Sequence, residues 1–125
     1  MLPREHRLTS GPDFRSASRK GRRGGSRTLV AHLWAPEGVE HPVRVGFVVS
    51  KAVGNAVTRN RVKRRLRHLV RERLELLPAS GVLVVRATPA SGGASGPQLA
   101  ADLDQCLSKV LPNRLSSPAG AGALR

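Results

Sequence analysis

The sequence has few acidic residues, few aromatic residues and one cysteine, and each shortage excludes a class of protein. Only 8 Asp plus Glu oppose 22 Lys plus Arg in 125 residues, so the formal net charge is +14 and a polyanionic partner is indicated. The single cysteine excludes an internal disulfide, and no His/Cys cluster has zinc-site spacing. No apolar run approaches the roughly 18 residues of a membrane span, and the polar N-terminus does not resemble a signal peptide. We therefore expect a cytoplasmic protein without a membrane partner.

The scarcity of carboxylates also bears on catalysis. A nuclease that cleaves phosphodiesters on its own needs clustered acids or an acid/base pair to hold metals and activate water. Among the eight acids, only Asp102 and Asp104 lie close together, and we interpret them as solvated surface of a helix. The sequence therefore predicts no catalytic residue and no metal site, and it disfavours a stand-alone nuclease.

Turn residues and hydrophobic periodicity predict the elements of one domain. A short helix is expected over residues 12–20, with Ser10 as N-cap, Asp13 in a capping-box position and Gly21 as the stop. Residues 21–27 are predicted to be a flexible basic connection. Alternating apolar residues predict strands at 28–34 and 43–50, paired as an antiparallel hairpin with a long loop.

The second half of the chain adds two helices and a strand. A basic helix is predicted over residues 57–77, closed by Pro78, and a nearly all-apolar buried strand over 82–86. A last helix is expected at 98–111, with Leu99, Leu103, Cys106, Leu107 and Val110 on one stripe. The resulting fold class is α+β, in the order α-β-β-α-β-α, with a domain at 1–111 and a disordered tail at 112–125.

The basic helix is the most informative segment of the chain. At about 100° per residue, one arc is apolar, comprising Val62, Leu66, Leu69, Val70, Leu74 and Leu77. The opposite arc is polar and basic, comprising Asn60, Arg61, Arg64, Arg67, His68 and Arg71. Solvated helix faces normally mix both signs of charge, whereas the only acid between Arg59 and Arg73 is Glu72. This pattern favours a helix that lies along phosphates.

The motifs around this helix resemble the bacterial ribonuclease P protein subunit. The matching strings are Val45-Gly46-Phe47-Val48-Val49-Ser50-Lys51, Gly54-Asn55-Ala56-Val57 and Arg59-Asn60-Arg61-Val62-Lys63-Arg64. The resemblance implies a small protein that binds a catalytic RNA and assists it in removing the 5′ leader from precursor tRNA. It further implies that the chemistry belongs to the RNA and its Mg²⁺ ions, and that no protein partner is obligatory.

Fold details and RNA-binding residues also follow from the resemblance. It implies a left-handed βαβ crossover through the basic helix, of the ribosomal protein S5 domain 2 type, where pattern alone would favour a right-handed one. Arg61, Lys63, Arg64, Arg65 and Arg67 are expected to contact phosphates of the catalytic RNA, as is Lys51 beside a turn that requires Gly54 at positive φ. Arg59 either reaches RNA or binds an acceptor inside the protein, and Asn60 either contacts RNA or ties the loop to the helix.

The resemblance also implies a cleft between the first helix and the sheet that takes the single-stranded leader. Phe14 occupies the first aromatic position of that cleft, Ser18 stands where a second aromatic is common, and His32 corresponds to the third. Because aromatics are only 2% of the chain, base stacking is expected to be thin. An alternative that shares the basic helix is a ribosomal or RNA-chaperone-like binding module that belongs to no enzyme.

Overall fold

A computed structural model describes residues 4–8, 11–36, 38 and 41–111, and within them the chain forms one α+β domain. The strands are β1 (Arg22–Gly25), β2 (Leu29–Trp34), β3 (Arg44–Val48) and β4 (Val82–Ala87). The helices are α1 (Gly11–Lys20), α2 (Ala56–Arg71) and α3 (Gly96–Val110). The predicted α+β class is confirmed, although the order gains a strand.

The four strands form a mixed sheet in the order β1-β2-β4-β3. The predicted hairpin of β2 with β3 is wrong, because β4 lies between them, antiparallel to β2 and parallel to β3. The run Val82–Val85 is buried on both faces, and a strand with no polar face is stable only in the middle of a sheet. A β3-α2-β4 crossover follows, and its left-handedness and likeness to ribosomal protein S5 stay predictions.

The segment predicted to be a flexible basic connection contains strand β1, so that prediction is wrong. Arg22 pairs with Leu33 and Gly25 with Val30 in an antiparallel register. A Cβ atom at Gly24 would lie 2.7 Å from Lys109 Cβ and 2.8 Å from the Cys106 carbonyl oxygen. The backbone of α3 therefore packs directly on this strand, and only glycine permits that approach.

Helix α1 confirms the first predicted helix within one residue at its start. Gly21 follows its last residue, and the Gly21 amide donates to the Ala17 carbonyl at 3.0 Å. A Cβ atom at Gly21 would lie 2.7 Å from the Leu33 carbonyl oxygen, so glycine is needed where the chain turns into β1. The predicted cap Ser10, the Asp13 side chain and the predicted tail 112–125 lie outside the described residues.

Helix α2 is shorter than predicted. It ends at Arg71 and is followed by a single 3₁₀ turn at Leu74–Leu76, although Leu77 is buried as the apolar period suggested. Arg73 stabilises this turn, because one guanidinium nitrogen donates to the Leu69 carbonyl at 2.9 Å and two others donate to the Asp104 carboxylate of α3 at 2.6 and 3.2 Å. Arg73 thus links the end of α2 to the middle of α3.

The helices cover the two faces of the sheet unequally. Helices α2 and α3 bury one face through the stripe Val62, Leu66 and Val70 and the predicted α3 stripe, all in one cluster with Leu29, Leu83 and Val85. Helix α1 covers part of the other face, where Ala17, Val82 and Val84 form a smaller cluster. No helix of the described residues is long and apolar enough to cross a bilayer.

Substitution of Arg73 by methionine tests the link between α2 and α3. The Arg73 side chain is 17% exposed and Asp104 is 55% exposed. Methionine retains the aliphatic contacts but removes three charged hydrogen bonds, so we expect the free energy of unfolding to fall by about 1 kcal/mol after allowance for solvent screening. Denaturant unfolding measures the change. The control is Arg71→Met, which removes an exposed charge with no partner among the described residues, and an equal loss from both variants would contradict the assignment.

Candidate nucleic-acid interface

The start of α2 is built by a glycine and an asparagine. Gly54 has φ of 154°, in the region that favours glycine, which confirms the predicted role of Gly54. The Asn55 side chain accepts a hydrogen bond from the Thr58 amide at 2.9 Å and caps the helix. Lys51 lies exposed in the short 3₁₀ turn Lys51–Val53 that precedes this cap. The first predicted phosphate-binding residue, Lys51, therefore lies in a turn that leads directly into the capped start of α2.

The basic face of α2 is available to a ligand. Its apolar stripe is buried, and the opposite side presents Arg61 and Arg64 exposed, with Lys63, Arg65 and Arg67 half-buried at its margins. Lys63, Arg64 and Arg67 have no hydrogen bond or ion pair within the part of the chain that the structure describes. A row of cations without internal counter-charges is arranged to receive phosphates.

Two arginines of this face are held by a neighbouring loop. Arg61 donates to the Gly92 carbonyl at 3.2 Å, and Arg65 donates to the Ala94 carbonyl at 3.1 Å. The loop contains the 3₁₀ turn Pro89–Gly93, and a Cβ atom at Gly92 would overlap the Val53 carbonyl oxygen. Each guanidinium keeps further N–H groups for a ligand, so the loop limits their motion without consuming their donors. The role of this loop was not predicted from the sequence.

Arg59 and Asn60 differ in burial and partners. The Nε atom of Arg59 is buried, and among the described residues it has no hydrogen-bond partner such as the internal carbonyl or carboxylate that was one of the two alternatives. Asn60 is exposed, and within the described residues it makes no bond that ties the loop to the helix. Asn55 performs that task. Contact of Arg59 and Asn60 with RNA stays a prediction.

The two predicted leader-binding residues lie on the same face of the sheet. Phe14 of α1 packs over Gly46 of β3, where an added Cβ atom would overlap the ring. Arg23, His32, Val84 and Gly46 form one cross-strand row, so the His32 side chain is two strands away from the position under Phe14. Ser18 lies one helical turn after Phe14 and is half-buried.

His32 is an isolated polar group in this face. It is 8% exposed, and its Nδ1 atom has no hydrogen-bond partner. Burial, reinforced by the positive charges of Arg23 and Arg86, lowers the pKa of His32 below its ordinary value of 6.5. No role of Arg86 was predicted, although a charge near the end of an otherwise apolar strand was the available signal. A neutral imidazole between two arginines offers a hydrogen bond and leaves the positive charge to its neighbours.

The pH dependence of stability tests this environment. Because the folded pKa of His32 is lowered, the unfolded chain binds more protons between that pKa and 6.5. Proton binding to the unfolded chain therefore lowers the free energy of unfolding. This loss is absent above pH 6.5, grows as the pH falls from 6.5 to the folded pKa, and is constant below that pKa. We therefore expect the free energy of unfolding of His32→Gln to fall less than that of the parent on acidification, in denaturant titrations at a series of pH values. Parallel curves would show that the histidine titrates normally.

The carboxylates of α3 have structural partners. The Thr28 hydroxyl donates to Asp102, and Asp104 is held by Arg73. Among the described residues, no group of three His, Cys, Asp or Glu side chains is placed to hold a metal ion. Asp104 is exposed and Asp102 is half-buried, in keeping with the helix-surface interpretation, and each also bonds to a neighbouring element. Their engagement leaves no free acid pair there for metal-assisted hydrolysis.

Comparison with known proteins places these features in a family. A family model described as Ribonuclease P matches residues 2–111. The ribonuclease P protein component of Nocardioides sp. is 60% identical over 111 residues, covering 88% of this chain and 95% of that protein. The corresponding protein of Streptomyces avermitilis is 53% identical over 118 residues, covering 89% and 96%. The solved RNase P protein of Staphylococcus aureus has a TM-score of 0.73 at 27% identity, covering 85% and 97%.

Proposed function

The chain belongs to the ribonuclease P protein family, and from this premise we propose that it binds the catalytic RNA and the 5′ leader of precursor tRNA. Membership makes it a protein component of an endoribonuclease holoenzyme that associates with the RNA subunit. The observation that carries the finer proposal is the basic face of α2, where cations without internal partners lie beside two arginines held by a loop. The family match favours this reading over a ribosomal or chaperone-like module.

The proposed contacts to the catalytic RNA extend along α2 and the turn before it. Arg64, Lys63 and Arg67 would supply unpaired charge, while Arg61 and Arg65 would supply donors already oriented by the loop carbonyls. The complete proposed set is Lys51, Arg59, Asn60, Arg61, Lys63, Arg64, Arg65 and Arg67. Such contacts set affinity and position, and they do not read sequence.

The proposed leader site lies on the sheet face beside α1. Phe14 would offer a half-buried ring, His32 a hydrogen bond, and Arg23 and Arg86 positive charge along the same side of the sheet. A single strand with splayed bases is recognised by this combination of one aromatic surface with flanking cations. The proposal includes a cytoplasmic location, where precursor tRNA is processed in bacteria.

The proposal assigns the chemistry to the RNA. Asp102 and Asp104 are engaged with Thr28 and Arg73, so the donor set of the described residues does not fit a resident metal site. Mg²⁺ would be bound mainly by the catalytic RNA, where it would stabilise charge at the scissile phosphate. The protein would contribute by screening repulsion between the two RNAs and by holding the leader.

A cleavage assay at low magnesium tests this division of labour. We expect the protein alone to leave precursor tRNA intact at any magnesium concentration. Added to the cognate catalytic RNA, it should lower the magnesium concentration required for cleavage, because its cations replace ions that otherwise neutralise phosphates. Cleavage by the RNA-free protein that copurifies through several columns would reject the proposal. An unchanged magnesium requirement would favour the binding-module alternative.

A further inference from the structure

A groove between α2 and α3 adjoins the basic face of α2, and Arg64 and Arg65 are the lining residues that it shares with the contacts already proposed for the catalytic RNA. It has a volume of about 430 Å³, within the range of roughly 300–1,000 Å³ typical of small-ligand pockets. Its walls are the third and fourth turns of α2 and the first two turns of α3. The lining residues are Arg64, Arg65, His68, Leu69, Gly96, Pro97 and Ala100.

The groove combines an apolar floor with a cationic rim. Leu69, Pro97 and Ala100 provide the apolar surface, and no acidic residue lines the groove. Arg64 is exposed and has no partner among the described residues. Arg65 is held at the groove by its hydrogen bond to the Ala94 carbonyl at 3.1 Å, which fixes one guanidinium beside the floor. The His68 ring also lines the groove, and its Nε2 atom lies 3.6 Å from the Oε2 atom of Glu72, which is outside the groove.

We propose that this groove binds one unpaired nucleotide of the catalytic RNA, with its base on the apolar floor and its phosphate against Arg64. The inference rests on the proposed function and adds a base-binding site to a surface otherwise expected to touch only phosphates. A nucleotide matches the groove in both of its parts, since a base has two apolar faces and its phosphate carries the negative charge. Arginine guanidinium groups also stack on bases, and Arg65 is already held in place.

Filling the groove without changing its charge tests the proposal. Ala100→Trp occupies the floor, whereas Ala101→Trp places the same side chain at the next, exposed position outside the groove. We expect Ala100→Trp to weaken binding to the full-length catalytic RNA about five- to tenfold, at the lower end of measured base-stacking effects. Because no charge is removed, the salt dependence of binding should keep its slope. Ala101→Trp should bind as the parent does.

A crosslinking variant keeps the test decisive if the tryptophan disturbs folding, which thermal unfolding will show. Cys106 is fully buried, so Ala100→Cys provides one accessible thiol within the described residues. An aryl azide attached there should crosslink to an unpaired nucleotide of the bound RNA, and more strongly than the same probe at Ala101→Cys. Crosslinks confined to paired segments, or absent, would overturn the inference.

The outcomes separate this inference from the proposed function. If the parent protein fails to bind the catalytic RNA, the proposed function itself is wrong. If the parent binds and a correctly folded Ala100→Trp binds equally well, the groove is not a base site and only the inference fails. That second result would favour a protein segment over a nucleotide as the occupant of the groove.

Discussion

Simultaneous substitution of Arg61, Lys63 and Arg64 by alanine is expected to weaken binding to the catalytic RNA about hundredfold near 0.15 M salt. Each lost phosphate contact should reduce the salt slope of log K by roughly 0.7 to 0.9. The loss of three contacts therefore reduces the slope by about 2.1 to 2.7. If parent and variant bind equally at about 1 M salt, this difference in slope gives about a hundredfold difference in affinity at about 0.15 M salt. Affinity measured across a salt series yields both quantities.

The matched control for this variant removes the same charge from another surface. Arg22, Arg23 and Arg27 are all exposed, and they lie in β1 or just after it. Their simultaneous substitution by alanine is expected to change affinity for the catalytic RNA much less, because they lie at the β1 edge of the sheet and not on the basic face of α2. Thermal unfolding must show that both triple variants fold, since Arg61 also bonds to the Gly92 carbonyl. Equal losses of affinity from the two variants would indicate that RNA binding depends on overall positive charge and not on a specific binding face on α2.

The elements with strong periodicity were predictable, and their neighbours in the sheet were not. The stripes of α2 and α3 have buried residues where the pattern placed them, because an amphipathic helix fixes its own buried face. Pairing of β2 with β3 was the local choice for two consecutive strands. It was wrong because nothing in the pattern of β4 specifies which strands it pairs with, although its apolar run Val82–Val85 was a signal that it belongs in the centre of the sheet.

The errors at β1 and at the end of α2 have tertiary causes. The string Arg22-Arg23-Gly24-Gly25 has low strand propensity, and it becomes a strand because β2 offers an edge and α3 requires a surface without side chains at Gly24. Leu74 and Leu77 continue the helical period, but the chain forms a 3₁₀ turn at Leu74–Leu76 instead of helix. The residue before this turn, Arg73, bonds to Asp104 of α3. Contacts with residues distant in the sequence, such as Arg73 with Asp104 or Gly24 with Cys106, are invisible to a local pattern.

The binding face could be predicted from charge, whereas its arrangement could not. The arginines of α2 were identified because same-sign residues repeat without acids between them. The loop that holds Arg61 and Arg65 uses backbone carbonyls of Gly92 and Ala94, and a carbonyl has no sequence signature. The same holds for Gly46, whose lack of a side chain makes room for Phe14. The site therefore depends on small residues and backbone carbonyls whose contacts the sequence pattern does not reveal.

Substitution of Phe14 by leucine should separate leader binding from assembly. Phe14 is half-buried and packs over Gly46, so leucine should retain most of the apolar contact and lower the free energy of unfolding by less than about 1.5 kcal/mol. The stacking surface disappears, which should reduce affinity for long-leader precursors by about 1–3 kcal/mol, or roughly 5- to 150-fold. Binding to the catalytic RNA should be unchanged.

The companion variant Ser18→Phe tests the same surface in the opposite direction. Ser18 lies one turn after Phe14 on α1 and is half-buried, so a ring there should extend the stacking surface and strengthen leader binding. Holoenzyme affinity for precursors with leaders of increasing length measures both variants. With a leader too short to reach the cleft, the parent and both variants should bind alike. If Phe14→Leu instead weakens binding at every leader length and lowers the unfolding midpoint strongly, Phe14 is a core residue and the proposed leader site is wrong.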